Sequence, residues 1–462
     1  MMHYIHKLNK ATRAATTIGT LAVVAAAAGC SRDTLLGVDN PNVIDPSALN
    51  SPDGAEGLRV GAITRFKAMT ATGESSWLFG GLLTDEWKST DTFTQRDETD
   101  QRTVTEENSF VAAMYRNIHR TRVGAYQAIQ SLRQYKATAV GEIGEMWFLK
   151  GYSELQSASD FCNGQPFADL SSGTAELSNP VDVSTAFTMA LASFDSSLAA
   201  VGSATDTVSV RVRASAQVGR GRALLGLGRF TDAAAAVKGV PASFAFNLTF
   251  PASQGKEDNI IWVLNINVKR YTVQDSLDPQ GGIFTNGMPF VSAKDPRVPT
   301  SVIAKTGIDG VTPHVVQGVF PSFNSVVPVA NGVDAQLIDA EARLKAGDPT
   351  WLTVLNSLRA GPTSIGTLTI SKMAPLTDPG TDQARLLLLF RERAFWTYGR
   401  GQRLGDLRRL IHTYNETPAQ VFPGQGAVYS RKNGPYGSDV NFPVPQAERN
   451  NGNFKGCTDR KA

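Results

Sequence analysis

Apolar residues recur at spacings of three and four along several long segments of the chain. This period places them on one face of a helix, so each segment is expected to bury that face. The strongest patterns predict helices over 51–70, 108–135, 140–160 and 184–201. The last of these, for example, places Phe187, Leu191, Phe194 and Leu198 on one stripe.

The segment 384–411 predicts two helices joined by a tight reversal. Leu387, Phe390, Ala394 and Tyr398 form an apolar stripe on the first helix. The glycines at 399 and 401 permit the reversal at little steric cost, and apolar residues at 404, 407 and 411 then resume helical spacing. We therefore expect a helical hairpin.

Two further helical pairs are predicted at 213–238 and 334–360. The first resembles a tetratricopeptide unit, with Ala and Gly where two helices cross and a turn at Gly228-Arg229-Phe230. The pairs are unevenly spaced, which argues against an uninterrupted solenoid. The predicted fold class is mainly α, a tetratricopeptide-type helical frame with long loop inserts and a few short strands.

Two regions lack helical periodicity. Residues 73–103 are rich in Gly, Ser, Thr and Asp yet contain Trp77, Phe79, Trp87 and Phe93, which predicts a structured loop region. The other, about 241–330, is predicted to be a loop and strand insert. Within it, the alternating β-branched segment 259–268 predicts a half-buried strand.

The first 29 residues have the layout of a secretory signal. Lys7, Lys10 and Arg13 precede an apolar run of about a dozen residues, which is too short to span a bilayer easily. The run ends in Ala27-Ala28-Gly29-Cys30, which resembles the lipobox of bacterial lipoproteins. We expect a signal peptide over 1–29, a lipid on Cys30 and a polar tether over 30–50; the alternative is an unlipidated secreted product.

The net charge argues against nucleic-acid binding, and the cysteine content predicts a disulfide. The net charge is +3, and removal of the three positive charges of the signal segment leaves zero, so nucleic-acid binding has no electrostatic support. Two cysteines remain in the mature chain, Cys162 and Cys457. In an oxidising compartment a disulfide between them is expected; the alternative is two buried free thiols.

No common catalytic or metal motif is present in the sequence. The histidines after residue 30 are isolated at 119, 314 and 412, and no paired metal ligands or phosphate-binding glycine loop occurs. Paired carboxylates for glycoside hydrolysis remain open, with Asp85-Glu86 the first pair to inspect against the alternative of a solvated turn. No metal or cofactor is predicted.

Charged residues in the hairpin give the chain its most specific resemblance. Glu392 lies between two arginines, and Asp406 is spaced to reach Arg403 and Arg409, which by itself predicts a solvated, ion-paired helix pair. The order Glu392-Arg393, Gly401, Arg403, Asp406-Leu407-Arg408-Arg409 resembles the C-terminal signature of the SusD/RagB family of outer-membrane nutrient-binding lipoproteins. The lipobox, the triplet at 295–297 and the Phe-Pro-Val-Pro segment within 439–448 resemble family features too.

The resemblance implies a non-catalytic lipoprotein anchored to the outer membrane through lipid and facing the exterior. Its partners would be an oligosaccharide, or a peptide, and a SusC-like TonB-dependent transporter that imports it. The helical domain would cover 51–462, and ligand contacts are expected at Trp77, Trp87, Arg96 and Tyr271. The alternatives are a tetratricopeptide-type envelope scaffold and a secreted glycoside hydrolase.

Overall fold

Helices form where the apolar periodicity predicts them. The computed structural model describes residues 49–170, 172, 175–276, 287–424, 428–429 and 434–460. Its helices are α1 (Pro52–Thr70), α2 (Ser76–Leu83), α3 (Thr94–Asp100), α4 (Ser109–Tyr135), α5 (Val140–Asp160), α6 (Val183–Val201), α7 (Thr207–Gly226), α8 (Phe230–Val237), α9 (Ile260–Trp262), α10 (Gly332–Lys345), α11 (Trp351–Arg359), α12 (Asp382–Trp396), α13 (Arg403–Tyr414) and α14 (Pro418–Val421). The mainly α fold class and the three predicted helical pairs are confirmed.

The strands are short and pair two by two. They are β1 (Trp87–Ser89), β2 (Gln165–Pro166), β3 (Pro180–Val181), β4 (Ala245–Leu248), β5 (Tyr271–Val273), β6 (Thr300–Thr306), β7 (Pro313–Gln317), β8 (Val327–Asn331), β9 (Thr363–Ile365), β10 (Leu368–Ile370), β11 (Val428–Tyr429) and β12 (Gly434–Pro435). The pairs β1–β5, β2–β3, β4–β8, β6–β7, β9–β10 and β11–β12 are all antiparallel. Strand β5 lies in the insert and binds β1, so the insert is tied to the region that follows α1 and α2.

Consecutive long helices pack against each other, and small residues set their distance. Helix α5 contacts α4, α6 and α7, and α1 packs on α4. At Gly219 in α7, an added Cβ would overlap with the ring of Phe194 in α6. The glycine therefore permits the close crossing that its spacing suggested.

The α12–α13 hairpin is confirmed, but its expected solvated ion pairs are wrong. Arg393, Arg403 and Asp406 are each at most 2% exposed. Arg393 donates two hydrogen bonds of 2.9 Å to Asp406. Arg403 binds Asp85, which is 318 residues away in the sequence, instead of Asp406. The charges thus hold the hairpin to the core, because a buried charge left without its partner is strongly unfavourable.

The predicted strand at 259–268 is also wrong. Residues Ile260–Trp262 are α-helical, and a π-helix continues over Val263–Asn267. The buried Asn265 explains the difference: its amide donates to the Tyr271 carbonyl at 2.8 Å and accepts from the Gln317 N–H at 2.9 Å. Its apolar neighbours alternate in sequence, but this asparagine side chain joins three backbone segments and fixes a helical turn.

The C-terminal segment is tied to the end of α5. A disulfide joins Cys162, two residues after α5, to Cys457, with 5.9 Å between their Cα atoms. Residues 51–462 form one compact unit. Within the described residues, the structure holds no helix with the length and apolar character needed to cross a membrane. The signal segment, Cys30 and nearly all of the tether lie outside the described residues.

Candidate functional site

Trp77, expected in a loop, lies in helix α2 and is fully buried. All eight residues of this helix are buried, so 73–103 is not the continuous loop region that its composition predicted. A Cβ at Gly401, which has a φ of 64°, would overlap with the Trp77 indole. The indole therefore fills a slot beside the turn of the α12–α13 hairpin and offers no surface to a ligand.

Trp87 is equally inaccessible. It begins β1, pairs with Val273 in β5 and is 1% exposed. Its ring lies 5.1 Å from the ring of Tyr398, and a Cβ on Gly81 would overlap with the indole. Trp87 thus joins β1 to the end of α12.

Arg96 and Tyr271 lie in the same buried region. Arg96 in α3 is 4% exposed and forms ion pairs with Glu74 and Asp91. Its guanidinium lies 4.3 Å from the Phe110 ring centroid and 5.8 Å from that of Tyr271, which is fully buried. All four predicted ligand contacts are thus buried, whereas a stacking platform needs an exposed face.

The exposed member of this region is Phe93, the residue before α3. Phe93 is 50% exposed, whereas the other aromatic side chains whose exposure the structure describes are buried or half-buried. One edge of its ring contacts Phe110, with 5.7 Å between centroids at 72°. Phe93 thus presents apolar ring surface to solvent from a well-packed base.

Arg270 lies directly beside this ring. Its guanidinium is 5.1 Å from the Phe93 centroid and its side chain is 24% exposed. The buried carboxylate of Asp91 binds both Arg270 and Arg96, which fixes the position of the exposed guanidinium.

The tip of the β6–β7 hairpin completes this surface. The N–H of Ile308 donates to the Lys269 carbonyl at 3.0 Å, and the N–H of Asp309 donates to the Thr90 carbonyl at 3.1 Å. Gly307 is required here, since a Cβ would overlap with Thr90. We call the surface gathered by these contacts the Phe93 surface: the exposed Thr92, Phe93 and Ile308 and the partly exposed Arg270.

This surface combines an aromatic ring and a guanidinium, two groups that bind neutral sugars. An aromatic face packs against the apolar C–H groups of a pyranose ring, and a guanidinium donates hydrogen bonds to its hydroxyls. The ligand contacts predicted from the sequence lie in the same region as this surface, but their side chains are buried. The signal was local: Phe93 stands alone among polar residues in Thr92-Phe93-Thr94, whereas Trp77 lies in the apolar run of α2, which is typical of a buried helix.

The Asp85-Glu86 pair is buried in the core and is not a solvated turn. Asp85 accepts hydrogen bonds from Arg403 at 2.6 and 2.5 Å, and Glu86 accepts one from the Gly399 N–H at 2.9 Å. Burial raises the pKa of Glu86 to about 8. Both side chains are 0% exposed, so neither can reach a glycosidic bond.

The comparisons with solved structures are decisive for the fold. A SusD-like protein from Bacteroides fragilis matches with a TM-score of 0.63 and 13% identity, over 90% of this chain and 98% of that chain. The chain has the SusD-like fold. A laminarin-binding SusD-like protein aligns with a TM-score of 0.59 and 14% identity, over 88% of this chain and 99% of that one. A SusD-like carbohydrate-binding protein from Bacteroides vulgatus aligns with a TM-score of 0.54 and 13% identity, over 77% and 83%.

The resemblance read from the C-terminal signature is thereby confirmed at the level of the fold. No family model matches the sequence, and no curated protein matches it either. Of the residues that carry this resemblance, Arg393, Arg403 and Asp406 form the buried ion pairs described above. Glu392 is also buried and is paired with Arg297 at 2.7 Å and Arg359 at 2.9 Å. Among the described residues, no group of three or more His, Cys, Asp or Glu side chains is placed to hold a metal ion.

Proposed function

We propose that this protein is a non-catalytic lipoprotein that binds an oligosaccharide at the Phe93 surface and passes it to a SusC-like TonB-dependent transporter. The observation that carries the proposal is the half-exposed ring of Phe93 with the Arg270 guanidinium beside it. A rigid base supports binding, because little side-chain entropy is lost when a preorganised platform meets its ligand.

The fold supports the choice of an oligosaccharide as ligand. Two structural neighbours are described as laminarin-binding and carbohydrate-binding proteins. The Phe93 surface has a partly exposed guanidinium that can donate hydrogen bonds to hydroxyl groups, which suits a sugar. A peptide is the second ligand class to test.

The membrane attachment and the transporter partnership rest on the sequence. The lipobox ending at Cys30 would place the mature chain on the outer membrane through its acyl chains. The polar tether that follows would allow the helical domain to reach the mouth of a transporter on the cell exterior.

The test is a titration of the mature protein against a panel of neutral oligosaccharides and short peptides. Phe93→Ala should weaken binding of the preferred saccharide by roughly 10- to 100-fold, the scale of a lost central aromatic contact of about 1–3 kcal/mol. Phe93→Tyr retains the ring and should bind as the wild type does. Leu177→Ala is the matched control, because Leu177 is exposed (70%) but lies outside the Phe93 surface.

Three results would contradict the proposal. A chain that binds none of the panel would favour the envelope scaffold, and saccharide cleavage by the purified protein would favour the hydrolase. Saccharide binding that Phe93→Ala leaves intact would place the ligand elsewhere. Delivery is tested separately: cells that carry Phe93→Ala should import the saccharide more slowly, at equal levels of both proteins.

A further inference from the structure

A second cavity lies among the tetratricopeptide-like helices. It has a volume of about 300 Å³ and is lined by residues of α5, α6, α7, α12 and α13. None of the residues of the Phe93 surface lines it. It is therefore a separate site with its own chemistry.

The lining of this cavity is rich in arginine. Arg222, Arg393, Arg408 and Arg409 contribute to it, and His412 lies at its rim. Arg393 and Arg409 are balanced by two carboxylates, because Asp406 binds both and Glu341 binds Arg409 with hydrogen bonds of 2.9 and 2.8 Å. These four groups form a neutral set.

In the described part of the chain, the other two arginines form no direct ion pair, although the buried carboxylate of Asp160 acts on both of them. Within the described residues, no carboxylate lies within ion-pair distance of Arg222 or Arg408. Arg408 is 5% exposed and donates to the carbonyls of Ala158 and Ser159 at 3.0 and 2.6 Å, at the end of α5. Arg222 lies 5.3 Å from the ring centroid of Tyr152.

Two of the lining arginines also keep a hydrogen-bond donor without an acceptor. Among the described residues, Nη1 of Arg222 and Nε of Arg408 are buried and have no acceptor. Buried donors without acceptors are unfavourable and uncommon, so this cluster points to an acceptor that the chain itself does not provide.

Three carboxylates near the cavity offset part of its positive charge. Asp182 caps α6, where its carboxylate accepts from the Thr185 N–H at 2.6 Å. Asp160 accepts two hydrogen bonds from Gln156, and burial raises its pKa to about 7, so part of it is neutral near neutral pH. Asp459 contributes a further negative charge toward Arg408 and His412.

The remaining lining is apolar and selects the body of the ligand. Leu155, Phe187 and Leu225 line the same cavity. Fully hydrated inorganic anions gain nothing from such groups, whereas an organic acid buries its hydrocarbon part against them. From the unpaired arginines and this apolar wall we infer that the cavity binds a small organic carboxylate, with its carboxylate held by Arg222 and Arg408.

The probe for this inference is sodium benzoate, titrated into the mature protein by calorimetry. Benzoate should bind at one site per chain, and benzyl alcohol, which has the same ring without the charge, should not bind at the same concentrations. Arg222→Met should raise the Kd for benzoate at least tenfold. Methionine retains the apolar stem, so the helices should stay packed.

Arg220→Met is the matched control. Arg220 lies on the same helix, is paired with Asp195 at 2.7 Å and does not line the cavity, so its loss should leave the Kd unchanged. Phe93→Ala should also leave the Kd unchanged, which separates this inference from the proposed function.

Several outcomes would overturn the inference. A Kd for benzyl alcohol equal to that for benzoate would show that the cavity is an apolar pocket in which the arginine charges do not contribute to binding. Tighter binding of inorganic phosphate than of benzoate would show that the apolar wall is irrelevant. An Arg222→Met variant that binds benzoate with wild-type affinity would remove the arginine pair from the site.

Discussion

Trp87→Ala distinguishes a buried support from a ligand contact. The indole is 1% exposed and packs against Tyr398. Its Nε1 has no hydrogen-bond partner, so the substitution removes packing and no hydrogen bond. Truncation of a buried Trp to Ala costs about 3–5 kcal/mol, and this includes the cavity that remains. We expect the free energy of unfolding to fall by about 4 kcal/mol.

Urea unfolding followed by circular dichroism measures this change. With an m-value of about 3 kcal/mol/M, the midpoint should fall by about 1.3 M while m itself stays constant. Phe93→Ala is the comparison: because Phe93 is half exposed, its loss should cost about 1 kcal/mol or less. An unchanged midpoint for Trp87→Ala together with lost saccharide affinity would refute the assignment of Trp87 as a support.

Three further predictions concern the remaining features. The non-reduced protein should yield a peptide pair linked through Cys162 and Cys457, and reduction should destabilise the chain by at most about 6 kcal/mol, since the bridge closes a loop of 295 residues; two freely alkylated thiols in the exported protein would contradict it. Glu86→Gln should become more stable relative to the wild type as pH rises from 4.5 toward 8. Burial raises the pKa of Glu86 to about 8, so its contribution to folding is complete below the unfolded pKa and is lost as pH rises. A difference in urea midpoint between the two proteins that does not change with pH would contradict this prediction. Cys30→Ser should release the protein from the membrane fraction and abolish incorporation of labelled palmitate, and a mutant that stays membrane-bound would remove the anchor.

The long helices of the fold were predictable because their buried apolar residues recur at helical spacing. The apolar patterns over 108–135 and 140–160 coincide with α4 and α5, because apolar residues at helical spacing are the residues that such helices bury. The strand predicted over 259–268 was wrong because its conformation does not depend on local apolar spacing. There, the contacts of Asn265 with distant backbone decide the local conformation, and a local pattern contains no information about them.

The burial of the predicted site residues could not be predicted from the local sequence. The expected exposure of Trp77 and Trp87 overlooked the space that Gly401 and Gly81 leave for their indoles. These glycines are 324 and 6 residues away along the chain, and only folding shows that they face the indoles. The arginines of the hairpin were misjudged in the same way, because their partners Asp85 and Glu341 come from other segments.

The central claim is that a saccharide stacks on Phe93. The most direct measurement is a crystal structure of the mature protein with the saccharide selected by the binding panel. We expect a sugar ring against the exposed face of Phe93, with at least one hydroxyl within about 3.2 Å of the Arg270 guanidinium, the ordinary limit for such a hydrogen bond. A saccharide bound elsewhere, with the ring of Phe93 free of contact, would contradict it.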